Sequence, residues 1–271
     1  VFGGGNQGTV NGVITANISN STITEDIYGA GNKAEVGSTD TQDVITLNLT
    51  NVNAKNVYGG ANAALTTGNI NLNISSSNIN QSIYGAGNGV DSVVSGDTTG
   101  ELNPAKVNGK VNVVIADNTQ TTNVYGGGNL GLVEKNTNLK LSSSTVLDSI
   151  YGGGNAAIVK QNTYVYLTNA NISNSAYAGG NGTTAIVYGN TNLDIDNNSI
   201  ITNHVFGGGN AAQTGNSANN NSQSIVNIAG ATIGKNVYGG ANTSVLYGYT
   251  TVNIGIDKVS NPSLIKSDIS I

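Results

Sequence analysis

The sequence predicts an all-β fold, a single-stranded parallel β-solenoid of about nine coils. Three observations carry that prediction. A six-residue motif, Val57-Tyr58-Gly59-Gly60-Ala61-Asn62 in one copy, recurs nine times along the chain, and a fixed unit repeated at intervals of tens of residues marks a repeat architecture. Between motifs, aliphatic residues alternate with polar ones, as Ile70, Leu72 and Ile74 do with Asn71 and Asn73. Period two means a strand, because successive side chains point to opposite faces. Helical spacing is absent, and the residues bounding each apolar run are Asn, Ser, Gly and Thr, which favour turns.

The motif copies start at Val1, Ile27, Val57, Ile83, Val124, Ile150, Ala176, Val205 and Val237, at intervals of 26 to 41 residues. Each reads aliphatic (Ala in one copy), aromatic, three small residues, then Asn. The small residues imply either a turn of positive φ or close approach between coils. A phosphate-cradling loop would need a following helix and a Lys, and neither follows. The Asn residues Asn6, Asn32, Asn62, Asn88, Asn129, Asn155, Asn181, Asn210 and Asn242 are expected to form a structural ladder, each amide donating to the next coil and accepting from the previous one. A serial calcium motif would need Asp at these places. The aromatics Phe2, Tyr28, Tyr58, Tyr84, Tyr125, Tyr151, Tyr177, Phe206 and Tyr238 are expected to form one stacked column. Two Phe among the nine show that the hydroxyl is not needed in every coil. The alternation does not say whether this column faces core or solvent, because parity is lost in the turn before each motif.

Each unit then continues in the same order. The first repeat places Ile14, Ala16, Ile18 and Ile23 inward, and the third places Ile70, Leu72, Ile74 and Ile79 inward around a Ser75-Ser76-Ser77 turn. The fifth uses Leu139, Leu141 and Val146, and the sixth Val165, Leu167 and Ile172. One unit cannot fold alone. About five buried aliphatics at roughly 1.5–3 kcal/mol each do not offset ordering ~26 residues at about 1–2 kcal/mol apiece. Stacked units can, because each strand finds partners above and below. At about 4.8 Å per coil, nine coils make a rod of roughly 43 Å. A propeller blade would need more residues per repeat, a leucine-rich repeat its Leu pattern, and an antiparallel meander would not need nine copies of one Gly-rich turn. Residues 1–254 therefore form one solenoid domain. Residues 255–271, where Asn261-Pro262 marks a turn, read as a diverged C-terminal coil or partial cap.

With these tandem units the sequence resembles the large parallel β-helix repeat proteins of bacterial cell surfaces, which carry Val-Tyr-Gly-Gly-Gly-Asn-like repeats. The resemblance covers Val1 to about Ile254. It implies a right-handed β-helix and an exported, extracellular or cell-surface adhesin segment. It brings no catalytic or ligand-binding motif with it.

Composition narrows the partners. Net charge is −5, and Lys and Arg together number 10, all of them Lys and scattered singly. Nucleic-acid recognition leans on clustered cations, so no nucleic-acid partner is expected. No run approaches the length needed to span a bilayer, so no membrane insertion is expected either. Cysteine is absent and His204 is the one histidine, which leaves no transition-metal set. His204 occupies the turn position before a motif, and no cofactor is expected. The chain starts inside a repeat and without Met, and reads as an excerpt of a longer exported protein.

Candidate sites come from breaks in the repeat. Lys33–Val44, Gly89–Lys110 and Ala211–Ser224 lengthen their coils, and all three are expected to emerge at one edge, with the last mobile. The outward residues of the alternating strand form columns. One runs Asn17, Asn48, Asn73, Val114, Lys140, Tyr166, Asp194, Asn227 and Asn253. Lys140, Tyr166 and Asp194 would lie on successive coils with Tyr164 and Asn192 beside them, an arrangement suited to a surface glycan or a host or cell-surface protein. The expected role is thus non-catalytic: a rigid, adhesive stalk. Three other roles stand beside it. A fibre subunit would join end to end. A polysaccharide-active enzyme would need a carboxylate pair such as Asp194 and Asp196, with Glu25-Asp26 and Asp40/Asp43 in turns or loops. An ice-binding solenoid would need a regular Thr array, where this one has Asn.

Overall fold

In a computed structural model, described over residues 1–37, 43–89 and 104–255, every described strand belongs to one parallel sheet system. There is no helix among the described residues, and so none long and apolar enough to cross a membrane. The nine motif copies bound about eight full turns of a β-solenoid, the ninth coil being incomplete within the described residues. The tail after Gly255 lies outside them.

The coils are built on one plan of four pieces, shown by coil six. The motif dipeptide Ile150–Tyr151 is a two-residue strand, Val159 makes a lone bridge, Thr163–Thr168 is the long strand, and Asn171–Ile172 is a short one. Every piece pairs with its counterpart above and below. Val165 sits between Leu139 and Leu193, and Ile172 between Val146 and Ile201. The alternating pattern explains why: Val165 and Leu167 are buried while Tyr166 between them is exposed. The turn that follows the long strand holds a left-handed residue in each of coils one to eight, among them Asn20, Asn51, Ser76, Ser143, Asn169 and Gly230. Asn and Gly tolerate that conformation best, which accounts for the Asn and Ser recurring there. Coils four and seven use two such residues, Asp117-Asn118 and Asn197-Asn198.

The bridge column was not legible in the sequence. It runs Val10, Val36, Thr66, Val107, Val133, Val159, Val187, Thr214 and Leu246, one residue per coil in a polar stretch, so it leaves no periodic trace. It also corrects the expectation of a single insertion edge. The extra residues of coils two and eight follow the bridge, between Val36 and Ile45 and between Thr214 and Ser224. Those of coils four and seven precede it, between Asn88 and Val107 and between Asn181 and Val187. One apparent slot is therefore two, divided by the bridge. Residues 38–42 and 90–103 of these insertions, with Asp40, Asp91, Asp97 and Glu101, lie outside the described residues. In the third insertion, expected to be mobile, Asn219 and Asn220 N–H donate to the Asn216 carbonyl at 3.3 and 3.1 Å and close a turn.

The motif side chains separate into two buried compartments. Ile27, Val57, Ile83 and their counterparts join the aliphatic core, whereas Tyr28, Tyr58, Tyr84, Tyr125, Tyr151, Tyr177 and Phe206 form a cluster of their own. The question left open by the sequence is answered: the ring column faces away from the aliphatic core and is nonetheless buried. Adjacent rings stack with centroids 4.7–4.9 Å apart from Phe2 to Tyr238. Only the end rings, Phe2 and Tyr238, stand open, each 42% exposed.

A shift in core chemistry runs along the rod. At the first inward position of the long strand, coils one to four place Ile14, Ile45, Ile70 and Val111, and coils five to nine place Thr137, Thr163, Thr191, Ser224 and Thr250. The hydroxyls are not stranded. Thr137, Thr163 and Thr191 donate to the carbonyls of Gly152, Ala178 and Gly207 at 2.5–2.6 Å, one coil along. The bridge column is different: the buried hydroxyls of Thr66 and Thr214 have no hydrogen-bond partner among the described residues. An unmet buried hydroxyl costs about 1–3 kcal/mol, and Val fills this column elsewhere. Thr66→Val is therefore expected to raise stability by about 1–2 kcal/mol, read as a higher denaturant midpoint; an unchanged or lower midpoint would show that the hydroxyl is satisfied.

Candidate functional site

The surface chemistry of this protein is set by ladders. At the motif Asn, each Nδ2 donates to Oδ1 of the preceding coil, from Asn32 on Asn6 at 2.7 Å to Asn242 on Asn210 at 3.0 Å, through all nine copies. The ladder is the expected one with its direction reversed. Its chemistry requires a group that both donates and accepts. Asn129→Asp retains the bond accepted from Asn155 at 2.9 Å and turns a carboxylate toward Asn88 Oδ1, its partner at 3.0 Å. A loss of about 1–3 kcal/mol is expected at neutral pH, with recovery in acid as the carboxyl gains a proton to donate. Equal stability of the two proteins at neutral pH would count against the ladder.

Two further ladders lie on the outer face of the long strands; the first stops after coil three and the second after coil five. In the first column, Asn48 donates to Asn17 and Asn73 to Asn48, each at 2.8 Å. Then Val114, Lys140, Tyr166 and Asp194 follow in register. The column resumes as Asn227 donates to Asp194 and Asn253 to Asn227, each at 2.7 Å. In the second column, Asn112 donates to Asn71 and Asn138 to Asn112, each at 2.9 Å, and Tyr164 then ends the run.

All five site residues expected from the sequence come together on this face. Lys140, Tyr166 and Asp194 are aligned on coils five, six and seven, and Tyr164 and Asn192 are aligned on coils six and seven. Tyr166 is 41% exposed, an unusual state for so large a ring on this rod. Tyr164 is half-buried, its hydroxyl held by the Asn162 amide at 3.2 Å. Partial burial, then the Asp194 carboxylate and Tyr164, push the Tyr166 hydroxyl above the ordinary tyrosine range, so it is neutral at physiological pH. Asn138 and Asn227 border the patch and were not singled out in the sequence. Each looks like one more Asn in an Asn-rich chain until its ladder bond is seen. A shallow depression lined by Asn48, Asn73, Ser75, Val114 and Asp117 adjoins the patch at coil four.

The other residues singled out in the sequence also have definite surroundings. His204 lies between Phe206 and Tyr238, with ring centroids 5.9 Å away on each side, and its Nδ1 accepts the Asn236 N–H at 3.3 Å. Asp194 and Asp196 share the outer face of one strand, with Asp194 fixed by Asn227. Among the described residues no three His, Cys, Asp or Glu side chains are placed to hold a metal ion. One charge cluster went unnoticed in the sequence. Lys106 and Lys160 flank Glu134 Oε1 at 2.6 and 3.3 Å across coils four to six. Burial opposes ionisation of Glu134, but the hydrogen bonds and charges of the two lysines outweigh it and hold the carboxyl below its usual range.

Compared with protein-family models, curated proteins and solved structures, the chain finds no match.

Proposed function

We propose that this chain is a non-catalytic structural and adhesive segment of an exported surface protein, a rigid rod that holds a binding face at fixed geometry. The observation that carries the reading is the ladder system. Amides along the rod are engaged in bonds from coil to coil, with Asn6 to Asn242 as the continuous case. Such a surface resists bending and leaves few groups free to converge on a reacting atom. Catalysis needs groups brought together in a concave, water-excluding place, whereas a rod arrays them on a face. The first outer column, interrupted from Val114 to Tyr166 at coils four to six, supplies side chains that are not part of an Asn ladder.

Beads coated with the chain test the adhesive reading. They are expected to adhere to cell surfaces or surface polysaccharides above beads coated with an inert protein. Adherence no greater than that control, across bacterial and host cells, would remove the reading. Turnover of any polysaccharide by the chain, lost in Asp194→Asn, would replace it with an enzymatic one.

A further inference from the structure

We infer that the face formed by Lys140, Tyr164, Tyr166, Asn192 and Asp194 binds a short stretch of uncharged oligosaccharide. The inference rests on the adhesive reading above and names the ligand class of that face. It stands on three observations. First, both outer columns lack their ladder at this strand: the first has run without Asn–Asn bonds since Asn73, through Val114 and Lys140, the second ends at Asn138, and Tyr166 and Tyr164 occupy the two columns side by side. Tyr164 stands between Asn138 and Asn192, where another Asn would continue the ladder, and Tyr166 beside it returns nothing through the core, since it points outward.

Second, the patch has the right mixture. Two tyrosines on one face of a strand lie about 7 Å apart, and coils five to seven add about 10 Å in the other direction. An aromatic ring offers an apolar face with a polar tip, and the C–H face of a sugar ring fits the first while its hydroxyls fit the second. Around the rings stand donors and acceptors for hydroxyls: the Lys140 ammonium, the Asn192 amide and the Asp194 carboxylate, the last oriented by Asn227 at 2.7 Å. Third, Lys140 and Asp194 carry opposite charges on either side of Tyr166, so the patch has no net sign. It favours neither a polyanion nor a polycation. Extended peptides usually gain affinity by adding a strand to a sheet edge. Here the strand Thr163–Thr168 is paired on both sides, with Thr137–Ser142 and Thr191–Asp196, and offers no edge.

The experiment is a glycan array carrying neutral and acidic oligosaccharides, probed with the whole chain and with variants, beside a peptide array. The parent chain is expected to retain a subset of neutral glycans. Tyr166→Ala is expected to weaken that binding by about tenfold or more, from loss of a ring contact. Tyr166→Phe, which keeps the ring, is expected to stay within about threefold. Tyr249→Ala removes the most exposed tyrosine, 67% exposed on the last coil, and should change nothing. An unaltered melting profile for Tyr166→Ala separates lost contact from lost fold, and Tyr164→Ala gives the second reading if it melts early. Three results overturn the inference: no glycan retained, glycans retained equally by the Tyr164→Ala and Tyr166→Ala chains, or peptides retained in place of glycans. If coated beads adhere and any of these results is found, the adhesive reading survives and the carbohydrate site does not. If beads fail to adhere, the reading itself falls.

Discussion

Gly85→Val is expected to split this rod in two. Gly85 follows Tyr84 in coil four, just past the strand, and its backbone is not left-handed, so the reason for glycine is space. A Cβ at Gly85 would fall on the carbonyl oxygen of Gly126 in the next coil, and within 2.6–2.7 Å of Val111 Cγ1 and Val113 Cγ2. The same collision with the next coil's carbonyl awaits a Cβ at Gly29, Gly59, Gly126 and Gly152. Of the two causes expected for the motif glycines, the close approach of coils is the one at work. Coil seven carries Ala178 in this column, fully buried, so a lone methyl is admitted where the neighbours yield. The two further carbons of Val are not. Overpacking of this kind costs about 1–3 kcal/mol. Spreading the coils also weakens the bonds that Gly59 and Gly85 N–H make to the carbonyls of Tyr84 and Tyr125, both 2.9 Å, at about 1 kcal/mol each. The total is about 3 kcal/mol or more.

That loss is local, and the architecture makes its readout distinctive. Each coil touches only the coils above and below, so stability is a sum of coil and interface terms. Calorimetry of Gly85→Val is expected to show two transitions, one for the coils on each side of the damaged interface. Gly85→Ala should cost far less. Gly8→Ala, where an added Cβ meets nothing within 4 Å, should lie within about 0.5 kcal/mol of the parent. A single unshifted transition for Gly85→Val would mean that the coils are not held at this spacing.

The same neighbour-on-neighbour logic explains what the sequence disclosed. Wherever a residue type repeats in every coil, its column was legible, and the register followed: Asn17 through Asn253 lies on the path its spacing implied. The five candidate binding residues were legible for the opposite reason, as exceptions to a column. Isolated positions were not legible. Val36 and Val159 bridge with no alternating neighbour to announce them, and so the two insertion slots merged into one. Pairings between unlike residues were not legible either. Glu134 and Lys160 each follow a bridge residue while Lys106 precedes one, so the triad answers to no common position in the repeat. Which way the rings face was hidden as well. Val57 and Tyr58 point to opposite sides and both are buried, a case that the two-state rule of inside and outside does not cover.

The buried rings lead to the second large effect, a steep alkaline unfolding. Burial first, and then neighbouring tyrosines or acids, push the hydroxyls of Tyr28, Tyr58 and Tyr125 far above the ordinary tyrosine range. Burial also raises Tyr84 and Tyr177, and it carries Tyr151 up to about 12 against the opposing hydrogen bond from Ser149. An unfolded tyrosine ionises near 10. The fold thus favours the protonated form. Its contribution is complete below about pH 10 and is lost progressively above it, as unfolded chains release protons that folded chains retain, until the folded hydroxyls themselves ionise. Each retained proton changes stability by about 1.4 kcal/mol per pH unit, and six rings titrate together in one column. Tyrosinate absorbance is therefore expected to rise in step with loss of the β signal, in one narrow transition above pH 10 and not residue by residue. A variant tests the attribution to the ring column. Phe already occupies the column at Phe2 and Phe206, which makes Tyr58→Phe a change of proton and not of shape. Tyr58→Phe and Tyr125→Phe together are expected to raise the pH of unfolding while leaving neutral stability nearly unchanged. An alkaline midpoint that does not move in the double variant would place the titrating groups outside the ring column.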